Sequence, residues 1–186
     1  MVNIDELKGG GTVCVFVRHG EKDVEHHCLT ERGKRETVEF GKALCSLEKR
    51  IRIFSSPEGR CVETAAIINH VVNKDKCEFH CSEILGKPGI QVQDEVAYTK
   101  LTDVTKCRDI FREWKDGLHS DAMRSVEAIK SGTMEFLKST AIKNGITLYI
   151  SQSGTVACTG YALGLVDYRA DSVDWVNYLD GYILKL

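Results

Sequence analysis

Three short runs constrain this chain more than anything else in it: TVCVFVR (12–18), IRIFSS (51–56) and ITLYIS (146–151). The first and third are nearly continuous in apolar and β-branched residues. That is the signature of strands covered on both faces, not of strands with one face in water. Covered strands need helices, and the stretches between the runs supply them. Thr30 can cap a helix opening at Glu31, with Val38, Gly41, Leu44 and Cys45 on one face. Pro57 can open another, with Cys61, Ala65, Ile68 and Val72 at helical spacing. Residues 120–143 read as a long amphipathic helix with Val126, Ile129, Thr133 and Phe136 inward, stopped by Asn144-Gly145. A further helix is expected over 154–164. CEFHC (77–81) reads as a short strand, and DWVNYLDGYILKL as a final hairpin or edge strands around Asp180-Gly181. Strands that alternate with helices predict an α/β fold, a three-layer α/β/α sandwich around a mostly parallel sheet. With 186 residues and no repeat or linker, residues 1–186 are expected to form one domain. Gly86, Pro88, Gly89 and Gly117 punctuate 82–118, which reads as a variable lid or insertion with a short helix near Cys107–Trp114.

Composition narrows the classes. Hydrophobic residues at 42% and charged residues at 28% are globular, not disordered. A net charge of −2 speaks against nucleic acid as a partner. The eight cysteines read as free thiols, with Cys14, Cys61 and Cys158 inside apolar runs. The opening MVNIDELKGGG has no apolar signal core, so a cytoplasmic location is expected and the even cysteine count is not a disulfide framework. His70, Cys77, His80 and Cys81, and the His26-His27-Cys28 cluster, lack the paired C-x-x-C spacing of a structural zinc site, so no metal is expected. Residues 145–166 carry no charge and have the length of a membrane span. They also hold Ser151, Gln152, Ser153, Thr155, Thr159 and several glycines, which suit a buried strand and helix better than a bilayer.

In a parallel sheet, ligands sit outside the carboxyl ends of the strands. The first run ends in Arg18-His19-Gly20, the second in Ser55-Ser56-Pro57 a short step from Arg60, the third in Ser151-Gln152-Ser153-Gly154. Arg18 and Arg60 are planar forks suited to a tetrahedral oxyanion. A helix starting near Ser153 turns free N–H groups and its positive dipole end toward the same place. His19 between them is a potential nucleophile toward phosphorus. Lys22, Lys87 and Lys100 could recruit an anion. His26, His27, His80 and His119 read as rim residues, and Trp114 and Trp175 as packing.

VFVRHGEK, LTERGKRETVEFGKAL (29–44), IFSSPEGRCVETA (53–65) and ITLYISQSGTVACTGYALG (146–164) together resemble the histidine phosphatase superfamily, also called phosphoglycerate mutase-like. The resemblance implies that His19 takes the phosphoryl group as a phosphohistidine and that Arg18 and Arg60 hold its oxygens. It implies no cofactor and no metal. Where the family carries a second histidine after the late strand, this chain has Gln152, followed by Ser153 where one branch has an acid. Both are expected phosphate ligands. Glu83 falls where another branch places its general acid, with Glu21, Asp94 and Glu95 as weaker candidates. The resemblance implies a phosphate-monoester hydrolase with reduced turnover. The alternative is a pseudophosphatase that binds phosphate groups without cleaving them. The partner would be a phosphorylated small molecule or phosphoprotein. Residues 82–118 would select it, and the oligomeric state stays open.

Overall fold

The computed structural model describes residues 2–73, 79–166, 168 and 175–186. Its sheet has five strands: β1 (Val13–Arg18), β2 (Ile51–Ser55), β3 (Phe79–Cys81), β4 (Ile146–Ser151) and β5 (Gly181–Lys185). They lie in the order β3-β2-β4-β1-β5, with only β5 antiparallel, on β1. Among the described residues six α-helices accompany them: α1 (Glu31–Cys45), α2 (Gly59–Asn73), α3 (Glu95–Val104), α4 (Cys107–Lys115), α5 (Val126–Thr140) and α6 (Ser153–Ala162).

Strand alternation creates the layers. Val13, Val15 and Val17 of β1, with Ile146, Leu148 and Ile150 of β4, pack with Phe40 and Leu44 of α1 and Cys61, Ala65 and Ile68 of α2. Cys14, Phe16 and Tyr149 point the other way, into a cluster with Ile110 and Phe111 of α4, Ile129 and Leu137 of α5, and Val156 and Ala157 of α6. Phe16 stacks on both Tyr149 (4.8 Å) and Tyr182 (5.0 Å), so aromatic layers of β4, β1 and β5 run across that face. This is the α/β three-layer arrangement around a mostly parallel sheet that the strand runs imply.

Local departures have local causes. Thr30 caps α1 as expected, accepting from the Gly33 N–H at 2.9 Å. The buried face of α1, however, is Gly33, Thr37, Phe40, Gly41 and Leu44, with Val38 and Cys45 only half-buried. Gly33 and Gly41 set that face: a Cβ at Gly33 would collide with the Glu21 backbone, and one at Gly41 would press on the Val71 side chain at 3.1 Å. The second helix begins at Gly59, not at Pro57, with the Glu58 carbonyl taking its first bonds from Cys61 and Val62. The long helix is shorter than 120–143: Ser125 caps it at Ala128, and Met123 is instead bridged to Val92. α3 is a helix the pattern does not announce, because no residue of it is fully buried. The tail contributes one edge strand among the described residues, not a hairpin. Of 77–81, Cys77 and Glu78 lie outside the described residues. The uncharged stretch 145–166 is β4 followed by α6, and among the described residues no helix is long and apolar enough to cross a membrane.

Candidate active site

β1 delivers Arg18 and His19 to the carboxyl edge of the sheet, and pairing continues past the strand as the His19 N–H donates to the Ser151 carbonyl at 3.0 Å. The Ser56 N–H does the same to Ile150 at 2.9 Å, which holds the end of β2 beside that of β4. The strand ends therefore meet, as their sequences require. Gly20 follows His19 and must be small: a Cβ there would lie 2.6 Å from the Thr37 hydroxyl oxygen. Its N–H donates to Thr64 Oγ1 at 3.1 Å, and the Thr64 hydroxyl donates to the Arg60 carbonyl one turn earlier in α2. One threonine thus ties the His19-Gly20 loop to the helix that carries Arg60.

His19 is only 2% exposed. Its Nδ1 is 2.7 Å from the Gly20 carbonyl oxygen, which can only accept, so Nδ1 carries the proton and Nε2 keeps its lone pair. Arg60 Nε donates into that lone pair at 3.2 Å. Burial pushes the imidazole pKa down to about 3, and the positive charges of Arg18, Arg60 and Lys22 push the same way, against the Gly20 bond. The ring is neutral at any ordinary pH, and a neutral ring with an in-plane lone pair is the form that can attack phosphorus.

The cations around it are held in place. Arg18 stacks its guanidinium on the Tyr178 ring at 4.0 Å and donates from Nη1 to the Val176 carbonyl at 2.7 Å, while its buried Nε has no hydrogen-bond partner among the described residues. Arg60 is anchored by Glu58, Nη1 to carboxylate 3.0 Å. Lys22 is lowered by burial and then by Arg60 and Arg18, which makes it a third positive group in the same electrostatic field. At the β4 end, Gln152 is the residue before α6, and the helix's first bond runs from the Val156 N–H to the Gln152 carbonyl. The N–H groups of Ser153, Gly154 and Thr155 lie ahead of the first helical bond and have no carbonyl partner within the helix. Gln152 packs against Gly86, where a Cβ would come within 3.1 Å of its Nε2 and 2.9 Å of Ser56 Oγ.

These groups share a cavity of about 200 Å³ lined by Arg18, His19, Lys22, Arg60, Gln152 and Ser153, together with Gly154, Thr155, Gln91, Tyr98 and Cys107. Of the residues singled out from sequence, Arg18, His19, Arg60, Gln152, Ser153 and Lys22 come together here. Glu83 does not. It opens a 3-10 turn, Glu83–Leu85, immediately after β3; Leu85 faces the core and Glu83 is left exposed. Glu21 instead accepts from Thr30 and pairs with Arg32, Asp94 caps α3, and Glu95 is exposed. No carboxylate lines the cavity among the described residues. Lys87 is exposed beside Glu58, and His119 pairs with Glu113. His26, His27 and His80 are exposed. Among the described residues no three His, Cys, Asp or Glu side chains gather as metal ligands, and Cys77 lies outside them. Cys14, Cys61 and Cys158 are buried free thiols, and burial pushes Cys61 up to about 12.

Sequence reasoning missed Gln91, Tyr98 and Cys107 on the cavity wall, and Thr64, Glu58 and Tyr178 behind it. Thr64 had a signal, being one helical turn from Arg60. Tyr178 had none, because it reaches Arg18 from the far end of the chain.

The geometry can be set beside known proteins. No curated protein matches the chain in sequence. In structure it is similar to the phosphoglycerate mutase from Bacillus anthracis str. Sterne, at 15% identity and a TM-score of 0.56 over 97% of this chain and 91% of that one. It is similar to a mycobacterial glucosyl-3-phosphoglycerate phosphatase, at 16% identity and a TM-score of 0.55 over 82% and 79% of the two chains. A phosphoserine phosphatase from Entamoeba histolytica gives 18% identity and 0.51 over 83% and 81%. Such distant likenesses establish the fold. The family is established by sequence: the profile of the histidine phosphatase superfamily (branch 1) matches residues 14–136, about two-thirds of the chain, including the segments that carry Arg18, His19 and Arg60. This chain belongs to the histidine phosphatase superfamily, branch 1.

Proposed function

We propose that this protein is a phosphate-monoester phosphatase that works through a phosphohistidine on His19. The observation that carries the reading is the tautomer of His19: the Gly20 carbonyl holds the proton on Nδ1, so the Nε2 lone pair stands among Arg18, Arg60 and Lys22. An arriving phosphoryl group draws the Arg60 donor from Nε2 to its own oxygens. Arg18, Lys22, Ser153 and the free N–H groups of α6 take the others, and the Gln152 amide donates where a charged imidazole would. Nε2 then forms the N–P bond as the ester P–O bond breaks, and the leaving oxygen takes a proton from solvent. Water attacks the phosphohistidine, phosphate leaves, and His19 returns to its neutral form.

Glu83 is not given the role of acid. General acid help is worth about 10²–10⁴ in rate, so a cavity without a carboxylate on its wall favours leaving groups that depart as anions and slows the others. That same feature, with Gln152, supports a second reading: a pseudophosphatase that grips the phosphoryl group of a small molecule or phosphoprotein and does not cleave it. Hydrolysis of para-nitrophenyl phosphate without added metal separates the two. The phosphatase reading expects turnover by the parent and none by His19→Ala. A parent that binds phosphate without turnover, and gains turnover as Gln152→His, supports the binder.

A further inference from the structure

The proton that reaches the leaving oxygen from solvent needs a carrier at the bond that breaks. The cavity wall limits what that carrier is. Arg18 and Arg60 do not give up their protons. The Nδ1 proton of His19 is fixed on the Gly20 carbonyl, and Nε2 is taken up by phosphorus. The amides of Gln91 and Gln152 are not acids, and Ser153 and Thr155 are alcohols, no stronger as acids than the one that leaves. Among the described residues that leaves Tyr98, Cys107 and Lys22.

Charge separates the three. A tyrosine or a thiol that gives a proton becomes an anion, and burial opposes that: it pushes both the Tyr98 hydroxyl and the Cys107 thiol up. Cys107 is also pressed against α6, where a Cβ at Gly154 would lie 2.5 Å from its Sγ. An ammonium that gives a proton loses its charge, and the same site favours that loss. Burial first, then Arg60 and Arg18, push Lys22 down, while Asp23 pushes the other way. The Asp23 carboxylate is engaged in its own loop, accepting from the N–H groups of Glu25 at 2.8 Å and His26 at 2.9 Å. A backbone bridge to Leu29 fixes where the lysine stem leaves the chain. From there the side chain reaches the cavity wall, and its charge is close enough to His19 to push the imidazole down. Lys22 is half-buried, so it meets both the cavity and solvent. Its three N–H donors on a flexible stem can hold a phosphoryl oxygen and the leaving oxygen together.

We propose that Lys22 is the acid–base group of the reaction: its ammonium gives a proton to the ester oxygen as the P–O bond breaks, and the amine so formed takes one from the water that attacks the phosphohistidine. In the first step the alcohol leaves with the lysine's proton. In the second the water oxygen bonds to phosphorus as the N–P bond breaks, and the water's proton goes to Nζ. Phosphate then departs with His19 neutral and Lys22 charged again. This rests on the phosphatase reading above, with His19 as nucleophile. Leaving-group dependence tests it, because kcat/KM reports the steps up to departure of the alcohol. It is measured for para-nitrophenyl phosphate, whose nitrophenolate departs as an anion, and for phenyl phosphate, whose leaving oxygen is more basic. The proteins are the parent, Lys22→Arg and Lys22→Gln. Arginine keeps the charge and cannot give up a proton, and glutamine has neither charge nor acid. A weakened grip on the phosphoryl group lowers both substrates alike and cancels in their ratio. The ratio of para-nitrophenyl phosphate to phenyl phosphate should rise about tenfold or more in both variants. An unchanged ratio in either folded variant, loss of both substrates together in Lys22→Arg, or a parent that cleaves para-nitrophenyl phosphate and not phenyl phosphate overturns the role of Lys22 and leaves the phosphatase reading standing. A parent that cleaves neither overturns both.

Discussion

Lowering the pH from about 7 to about 5 should cost the folded protein about 2 kcal/mol through His19 alone. The folded ring has a pKa of about 3, against an ordinary value of 6.5. Between those values the folded state binds fewer protons at this site than the unfolded chain does. The stabilisation from a neutral buried imidazole is therefore fully present above the unfolded value. It is lost at roughly 1.4 kcal/mol per pH unit as the pH falls toward the folded one. Burial is the main cause, then the positive charge of Arg18, Arg60 and Lys22. The comparison is between the parent and His19→Asn, whose amide can still donate to the Gly20 carbonyl but does not titrate. Urea unfolding of both proteins at the two pH values isolates His19, because the other histidines and the carboxylates are common to both. The difference in stability between parent and variant should shift by about 2 kcal/mol across that range, with the parent losing more. Parallel losses would show that the folded ring takes up a proton readily, and the account of a neutral nucleophile would fail.

Three further outcomes follow from the site's supports. Lys22→Ala should weaken inorganic phosphate binding on the order of tenfold, most visibly at low salt, as measured by calorimetry. Thr64→Val leaves the Gly20 N–H unpaired and frees the Arg60 carbonyl; it should cost about 1–3 kcal/mol in urea unfolding. Gly33→Ala would bring a methyl group to 2.2 Å from the Glu21 carbonyl oxygen. It should destabilise by about 1–3 kcal/mol or more and lower turnover as well, because Glu21 adjoins the His19-Gly20 turn.

The sheet was legible in the sequence because its central strands are covered on both faces, and that leaves a pattern no loop imitates. Valines at 13, 15 and 17 serve one layer while Cys14 and Phe16 serve the other. The strand ends were legible for the same reason: a buried run that stops in Arg18-His19 has to turn those groups into a crevice. What stayed hidden was set by contacts distant in sequence. Whether Glu83 reaches the site depends on how the chain leaves β3, and the tight turn through Leu85 decides it. Gln91 looks like any polar loop residue until the Arg124 N–H, donating to its carbonyl, fixes it in place. α3 lacks a buried stripe, so the period that reveals the other helices is missing. On α1 the small residues Gly33 and Gly41 mark the packing face, and a count of bulky apolar residues passes over them.

The central claim is that His19 Nε2 receives the phosphoryl group. The most direct test is to quench the protein in alkali during turnover of para-nitrophenyl phosphate, conditions under which a phosphohistidine survives, and to read intact mass and peptide masses. The account predicts a phosphoryl adduct that maps to His19 and is absent from His19→Ala. Turnover by the parent with no adduct on His19 under a rapid quench, or an unchanged adduct in His19→Ala, would contradict it.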